Sequence, residues 1–301
     1  METIKILFLL FASMSSLPVF SATFNVASFN LRNAPSETSN SWQIRGPAAS
    51  ALIRFHEFDL FGVQEAYLHQ IKTIASKEYD YIGAGRDDGK TRGEHSAILY
   101  KKNRFKCLES GNFWFSPTPE KPSLGWGARY KRICSWGKFK CLENGKVFFA
   151  FNLHIDHESE EAQRNSIAML AQNVRRIAAG TPHLIMGDFN LASKHGAMQK
   201  LSELENLASV ENFPAFYGPS FSYHSYMQGQ DIASSSDFSV RIDHIFYSSK
   251  NFKPIKAGLL TDFIPNYPSS MKNPCDNFSE SGGRVGYPSD HFPIIAKFEF
   301  R

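Results

Sequence analysis

His183-Leu184-Ile185-Met186-Gly187-Asp188-Phe189-Asn190 is a short apolar run that ends in chemistry. Leu184, Ile185 and Met186 are continuous and apolar, with Pro182 before them and Gly187 after, which reads as a strand buried on both faces. Such a strand needs helices or a second sheet on either side. Past its end stand a carboxylate, an aromatic ring and a carboxamide. Asp188 can accept a proton from water or bind a metal, and Asn190 can orient that water or donate to a phosphoryl oxygen. Polar groups at the end of a rigid strand are held still, as catalysis requires. Gly-Asp and Asn are also turn formers, so this stretch gains its meaning from the others.

Working outward, four more strand-like runs end in polar groups: Phe24 to Asn30, Leu60 to Glu65, Phe149 to Asp156 and Arg241 to Phe246. A sixth, Ser289-Asp290-His291-Phe292-Pro293, sets Asp-His just ahead of the apolar Ile294-Ile295-Ala296. The ordered series Asn, Gln-Glu, His-x-Asp, Gly-Asp-Phe-Asn, Asp-His and Ser-Asp-His resembles the endonuclease/exonuclease/phosphatase superfamily, whose members include DNase I-like nucleases, sphingomyelinases, inositol-phosphate phosphatases and deadenylases. The resemblance runs from about Phe24 to the last residues. It implies an α/β (α+β) fold, a four-layer αββα sandwich in which two packed mixed β-sheets are flanked by helices in one domain, 22–301.

Residues 1–21 read as a signal peptide. Lys5 precedes the apolar Ile6 to Phe11, and Val19-Phe20-Ser21 offers small residues at the offsets for cleavage after Ser21. The apolar run is too short to span a bilayer, so a secreted or periplasmic protein without a transmembrane segment is expected. Apolar residues make up 42% and charged residues 21%, which permits a sizeable core and excludes global disorder. The 27 phenylalanines fall largely in strand-like runs, where core packing is their role. A net charge of +4 admits a phosphate-bearing substrate but lacks the dense basic footprint of a dedicated nucleic-acid binder. Cys107, Cys134, Cys141 and Cys275 could pair in an exported protein. Cys134 and Cys141 are expected on one extended strand, too far apart to bond to each other. No Cys-x-x-Cys occurs, which argues against a zinc site.

Helices are expected at Trp42 to Glu57, Tyr67 to Lys77, Ser159 to Ala179 and Gly196 to Leu207, and a hairpin at Arg129 to Leu153 turning at Glu143-Asn144-Gly145. In the third helix, Ile167, Leu170, Val174 and Ile177 form the buried stripe. The Gly-rich Tyr81 to Glu94 reads as a loop in which Arg86 or Arg92 could bind a substrate phosphate, and Arg132 is a further candidate binder of substrate. Strand alternation places His154 and Asp156 on one face, and His157 is expected at the surface. The resemblance makes Asp156 and Phe221 further substrate-binding candidates. The Pro- and Gly-rich 262–288 reads as a long insertion flanking the site.

The resemblance implies hydrolysis of a phosphomonoester or phosphodiester by in-line attack of water. Asn30, Glu65 and Asp290 would serve a Mg2+ or Mn2+ ion, since such hard cations take oxygen ligands. His154 and His291 would give positive hydrogen bonds to phosphoryl oxygens, and Asp188 would deprotonate the water. Asn190 would fix water or phosphate, and Asp243 would hold and charge His291. The substrate is a phosphorylated small molecule, a lipid head group or a nucleic acid, and a monomer is expected. A DNase I-like endonuclease is the alternative, though scattered basic residues do not suit a backbone-tracking protein. The filled catalytic positions argue against an inactive binding module on the same fold.

Overall fold

The computed structural model describes residues 22–33, 41–226, 240–264 and 286–301. The signal-peptide reading of 1–21, Cys275 and most of the 262–288 insertion lie outside those residues.

Two six-stranded sheets form the centre. The first holds β1 (Thr23–Asn30), β2 (Leu60–Gln64), β3 (Tyr79–Ile82), β4 (Ile98–Lys101), β11 (Phe252–Leu259) and β12 (Ile294–Phe300), ordered β11-β12-β1-β2-β4-β3. The second holds β5 (Phe105–Trp114), β6 (Ile133–Cys141), β7 (Val147–His154), β8 (His183–Asp188), β9 (Leu207–Ser209) and β10 (Asp243–Ser248), ordered β5-β6-β7-β8-β10-β9. Among the described residues four α-helices, α1 (Trp42–Phe55), α2 (Leu68–Ala75), α3 (Glu160–Ala178) and α4 (Gly196–Glu205), complete the layers.

Strand parity explains the layering. Phe24 and Val26 of β1, Phe148 and Ala150 of β7, and Leu184 and Met186 of β8 face the core between the sheets. The intervening Ala27 and Phe29 face Leu52, Ile53 and Ile71 of α1 and α2. On the other side Phe149, Phe151 and Ile185 face Ile167, Leu170 and Val174 of α3. The middle strands are therefore buried on both faces, as their apolar runs require. Phe24 packs against Phe105, Phe148, Phe252, Phe298 and Phe300 at ring-centroid distances of 4.8–6.2 Å, stacked on Phe300 and tilted or edge-on to the others.

Helix ends follow local chemistry. The Ser159 hydroxyl accepts the Ala162 N–H at the start of α3, and Ala179 closes it in the left-handed conformation. Glu160 and Glu161 in the first turn and Arg175 and Arg176 in the last complement its dipole. Cys134 and Cys141 share β6, and no disulfide joins Cys107, Cys134 and Cys141.

Pairing direction positions the site. β1 and β2 run parallel, as do β7 and β8, so their C-terminal ends deliver Asn30, Glu65, His154 and Asp188 to one edge of the sandwich. β10 is antiparallel to β8, which sets Asp243, its first residue, opposite Asp188. β12 is antiparallel to β1, which brings the preceding Asp290-His291 to the same edge.

Candidate active site

Gly187 allows the turn into Asp188. Its φ is +154°, and a Cβ there would run into the Leu153 carbonyl oxygen of the neighbouring strand. Glu65 and Asn190 also hold positive φ, at 56° and 48°. For residues with a side chain that conformation is costly, and it gathers where surrounding structure fixes a functional group.

The side chains meet. The Asn30 carboxamide donates to Glu65 Oε1 at 3.1 Å and to Asp188 Oδ2 at 3.0 Å, while its own oxygen accepts the Arg32 N–H. In this arrangement Asn30 joins the Glu65 and Asp188 carboxylates. Asp188 Oδ2 stands 3.5 Å from His154 Nε2 and 4.0 Å from His291 Nε2, and Oδ1 accepts the Asn190 N–H at 2.9 Å. His291 Nδ1 meets Asp243 Oδ2 at 2.8 Å. Asp290 lies 4.0 Å from His291 Nε2 and 3.5 Å from Arg32.

These contacts set the charges. Burial, reinforced by the neighbouring Asp243, raises Asp188 to about 7. Burial would lower His291, but Asp243, Asp290 and Asp188 overcome it and hold the imidazole cationic well above its usual range. His154 goes the other way: burial, with the nearby Arg132 and Arg86 charges, keeps it neutral. The two imidazoles are thus shifted in opposite directions, His291 toward the cation and His154 toward the neutral ring. Burial would also raise Glu65, yet the Asn33 N–H, His291 and Arg32 more than offset it and hold the carboxyl low. Asp290 is raised by burial and by Glu65, against the pull of His291 and Arg32.

The donor set fits a hard divalent cation. Glu65 is ionised and borders the cleft, and Asp290 lies close enough for the two carboxyls to repel. Asp188, Asp243 and His291 also place one ligand atom each within 4.8 Å of one another. There His291 Nδ1 already meets Asp243 Oδ2 at 2.8 Å.

The cleft measures about 580 Å³ and is lined by Glu65, His154, Asp188, Asn190 and His291. Arg86, Arg132, Tyr67, Glu94, Tyr130, His157 and Tyr223 line it as well. Two expected substrate-binding residues lie elsewhere. Asp156 is fully buried behind Arg132, where its Oδ1 accepts the Glu158 and Ser159 N–H groups. β7 ends at His154, so alternation no longer holds two residues on. Phe221 packs on Phe292 at 5.9 Å and joins the core. Segment 222–224 runs beside 290–292, and it is Tyr223, paired with His291, that reaches the cleft. His157 is exposed, as expected, and it also lines the cleft and accepts from Arg132 Nη2 at 2.8 Å. Glu94 and Tyr130 were not singled out in the sequence. Their signal was proximity to Arg86 and Arg132 along the chain.

Two mixed sheets with flanking helices, carrying carboxylates and imidazoles at one edge, make a DNase I-like α/β sandwich. The chain belongs to the endonuclease/exonuclease/phosphatase family, whose profile matches residues 22–291. A protein of that family from Bacteroides thetaiotaomicron is 36% identical, with a TM-score of 0.83 over 94% of this chain and 99% of its own. A mannosyl-6-phosphatase from the same organism is also 36% identical, with a TM-score of 0.79 over 92% of this chain and 99% of its own. An uncharacterized protein of Acanthamoeba polyphaga mimivirus is 32% identical over 120 residues, 38% of this chain and 44% of the viral protein. The chain thus spans under half the length of that viral relative.

Proposed function

We propose that the protein is an exported, Mg2+- or Mn2+-dependent phosphomonoesterase that releases phosphate from a small polar alcohol. The observation that carries the reading is the convergence of Asn30, Glu65, His154, Asp188 and His291 on one strand edge. The likeness to a mannosyl-6-phosphatase over nearly the whole chain favours a sugar phosphate. Export rests on the signal-like Met1 to Ser21.

Asp188 takes a proton from the attacking water. Burial raises its basicity toward neutral pH, which suits a general base. Asn190, fixed by its contact with the Ile155 carbonyl, orients that water or a phosphoryl oxygen. The His291 cation donates from Nε2 to a phosphoryl oxygen, and Asp243 holds its ring and charge. Neutral His154 donates a further hydrogen bond. Glu65 and Asp290 would hold the cation, which when bound supplies charge neutralisation at the phosphoryl group and the leaving oxygen.

Phosphate release would be measured with Mg2+ from p-nitrophenyl phosphate and hexose phosphates, beside nicking of plasmid DNA, for the wild type, the EDTA-treated protein and Asp188→Asn. Metal-dependent release lost in Asp188→Asn supports the reading. Cleavage of plasmid alone, or release indifferent to EDTA, overturns it.

A further inference from the structure

One wall of the cleft takes no part in the chemistry above, and it is built around a single ring. The guanidinium carbons of Arg86 and Arg129 lie 5.3 Å from the Tyr130 ring centroid, and that of Arg132 lies 6.0 Å away. The His157 imidazole stacks on the same ring at 6.4 Å and 14°. Each guanidinium has its own carboxylate: Arg86 meets Glu94 at 2.6 Å, Arg129 meets Glu158 at 3.7 Å, and Arg132 meets Asp156 at 3.6 Å. Of these, Arg86, Arg132 and Glu94 line the cleft beside Tyr130, and Asp156 neutralises Arg132 from behind. The wall is dense in directed donors and acceptors and carries little net charge.

It is also rigid at its inner end. Arg86 and Glu94 side chains are 12% and 10% exposed. The Trp114 indole N–H donates to the Arg86 carbonyl at 2.8 Å, and the Arg86 N–H donates to the Glu94 carbonyl at 3.0 Å. Asn33 donates to Glu94 Oε1 at 3.3 Å, and Lys131 ties the Tyr130 segment to the Asp87 carbonyl at 3.1 Å.

Three kinds of leaving group could meet such a wall. A second phosphate needs uncompensated cations, and here the cations are matched. A nucleobase needs a free aromatic face; Tyr130, though 39% exposed, already stacks with His157 and carries the guanidinia, and Tyr67 lies parallel to His69 at 6.1 Å. A polyol suits it. Each hydroxyl both donates and accepts, so neighbouring hydroxyls can bridge a guanidinium and a carboxylate held side by side.

We propose that Arg86, Glu94 and Tyr130 form a specificity subsite for the hydroxyl-bearing alcohol of the substrate, and that this alcohol is a hexose-like sugar. Arg86 and Glu94 contact the hydroxyls, and Tyr130 positions the guanidinia. The proposal rests on the phosphomonoesterase reading. Its test is the ratio of kcat/KM for mannose 6-phosphate to that for p-nitrophenyl phosphate, which offers the wall no sugar hydroxyls.

The ratio would be measured with Mg2+ for the wild type, Glu94→Gln and Tyr130→Ala, with adenosine 5′-monophosphate as a third substrate. Tyr130 is 39% exposed, so its truncation supplies an arm independent of the buried Glu94, and melting curves identify any variant that fails to fold. The expected result is a ratio at least about tenfold below wild type in Glu94→Gln, the loss of one charge-assisted hydrogen bond. Tyr130→Ala should lower it in the same direction. A ratio within threefold of wild type in both folded variants overturns the subsite, even where the enzyme is an active phosphatase. So does a wild-type preference for the nucleotide over the hexose phosphate. Inactivity of the wild type on all three substrates removes the phosphomonoesterase reading itself, and the subsite with it.

Discussion

Replacing Asp243 with asparagine removes one charge and keeps the shape. Asp243 Oδ2 lies 2.8 Å from His291 Nδ1, and both side chains are buried. A hydrogen bond to a charged group contributes roughly 1.5–3 kcal/mol. At about 1.4 kcal/mol per decade, its loss should lower kcat/KM by about 10- to 100-fold. The pH profile carries a second signature. Asp188 must be ionised to act as a base, so activity rises as pH climbs through its pKa. Asp243, second only to burial, raises that pKa to about 7. Without the Asp243 charge the ascending limb moves to lower pH. His291 must be protonated to donate, so activity falls as pH climbs through its pKa. Burial lowers that pKa and Asp243 is the main group raising it, so the descending limb also moves to lower pH. Initial rates on p-nitrophenyl phosphate from pH 5 to 9, at saturating Mg2+, give both limbs. Melting temperature should fall, because the buried His291 cation loses its paired carboxylate, and the relieved repulsion between Asp188 and Asp243 offsets only part of that loss. A kcat/KM within about threefold of wild type with unmoved limbs would refute the proposed coupling.

Three other perturbations bear on separate parts of the molecule. Asp188→Asn should lower kcat by about 10²- to 10⁴-fold, the usual range for a lost general base, and a smaller loss in single-turnover assays would contradict that role. His224 is buried against Phe292 and Tyr287, and burial, aided by the His291 charge, holds it down to about 3. The unfolded chain takes up this proton below about pH 6.5 and the native chain does not, so stability falls by up to about 1.4 kcal/mol per pH unit between about 6.5 and 3. His224→Phe should flatten the fall of the urea midpoint between pH 6.5 and 4, and an unchanged slope would exclude this source. Gly62→Ala would drive a methyl into the Asn152 carboxamide, which donates to the Val63 and Ala97 carbonyls between the sheets. The cost should be about 1–3 kcal/mol, read as a lower urea midpoint at constant m-value, and a wild-type midpoint would contradict the packing.

What the sequence made legible was periodic and local. Leu184 to Met186 and Phe148 to Phe151 read as buried strands because their apolar runs are continuous, and α3 because its apolar residues recur at helical spacing. The polar tips were legible because each follows a strand directly. Short or mixed elements were not. β3 (Tyr79–Ile82) and β9 (Leu207–Ser209) have only four and three residues, too few for a pattern, and they exist through their pairing with β4 and β10. Side-chain direction past a strand end was also hidden. Asp156 turns inward to serve backbone N–H groups at the start of α3, and Phe221 yields the cleft to Tyr223 because the segment is set by its pairing beside His291. The wall around Tyr130 was beyond sequence reading, since its parts come from 86–94, 129–132 and 156–158 and meet only through the fold.

Crystals soaked in Mn2+ and measured at an anomalous wavelength would locate the cation without reference to any substrate. The expected result is one anomalous peak at oxygen-coordination distance, roughly 2.2 Å, from the Glu65 carboxylate on the side facing Asp290. The absence of a peak at Glu65, or a peak coordinated by Asp243 and His291 instead, would contradict a metal-assisted phosphoesterase with Asp188 and His291 free to handle protons.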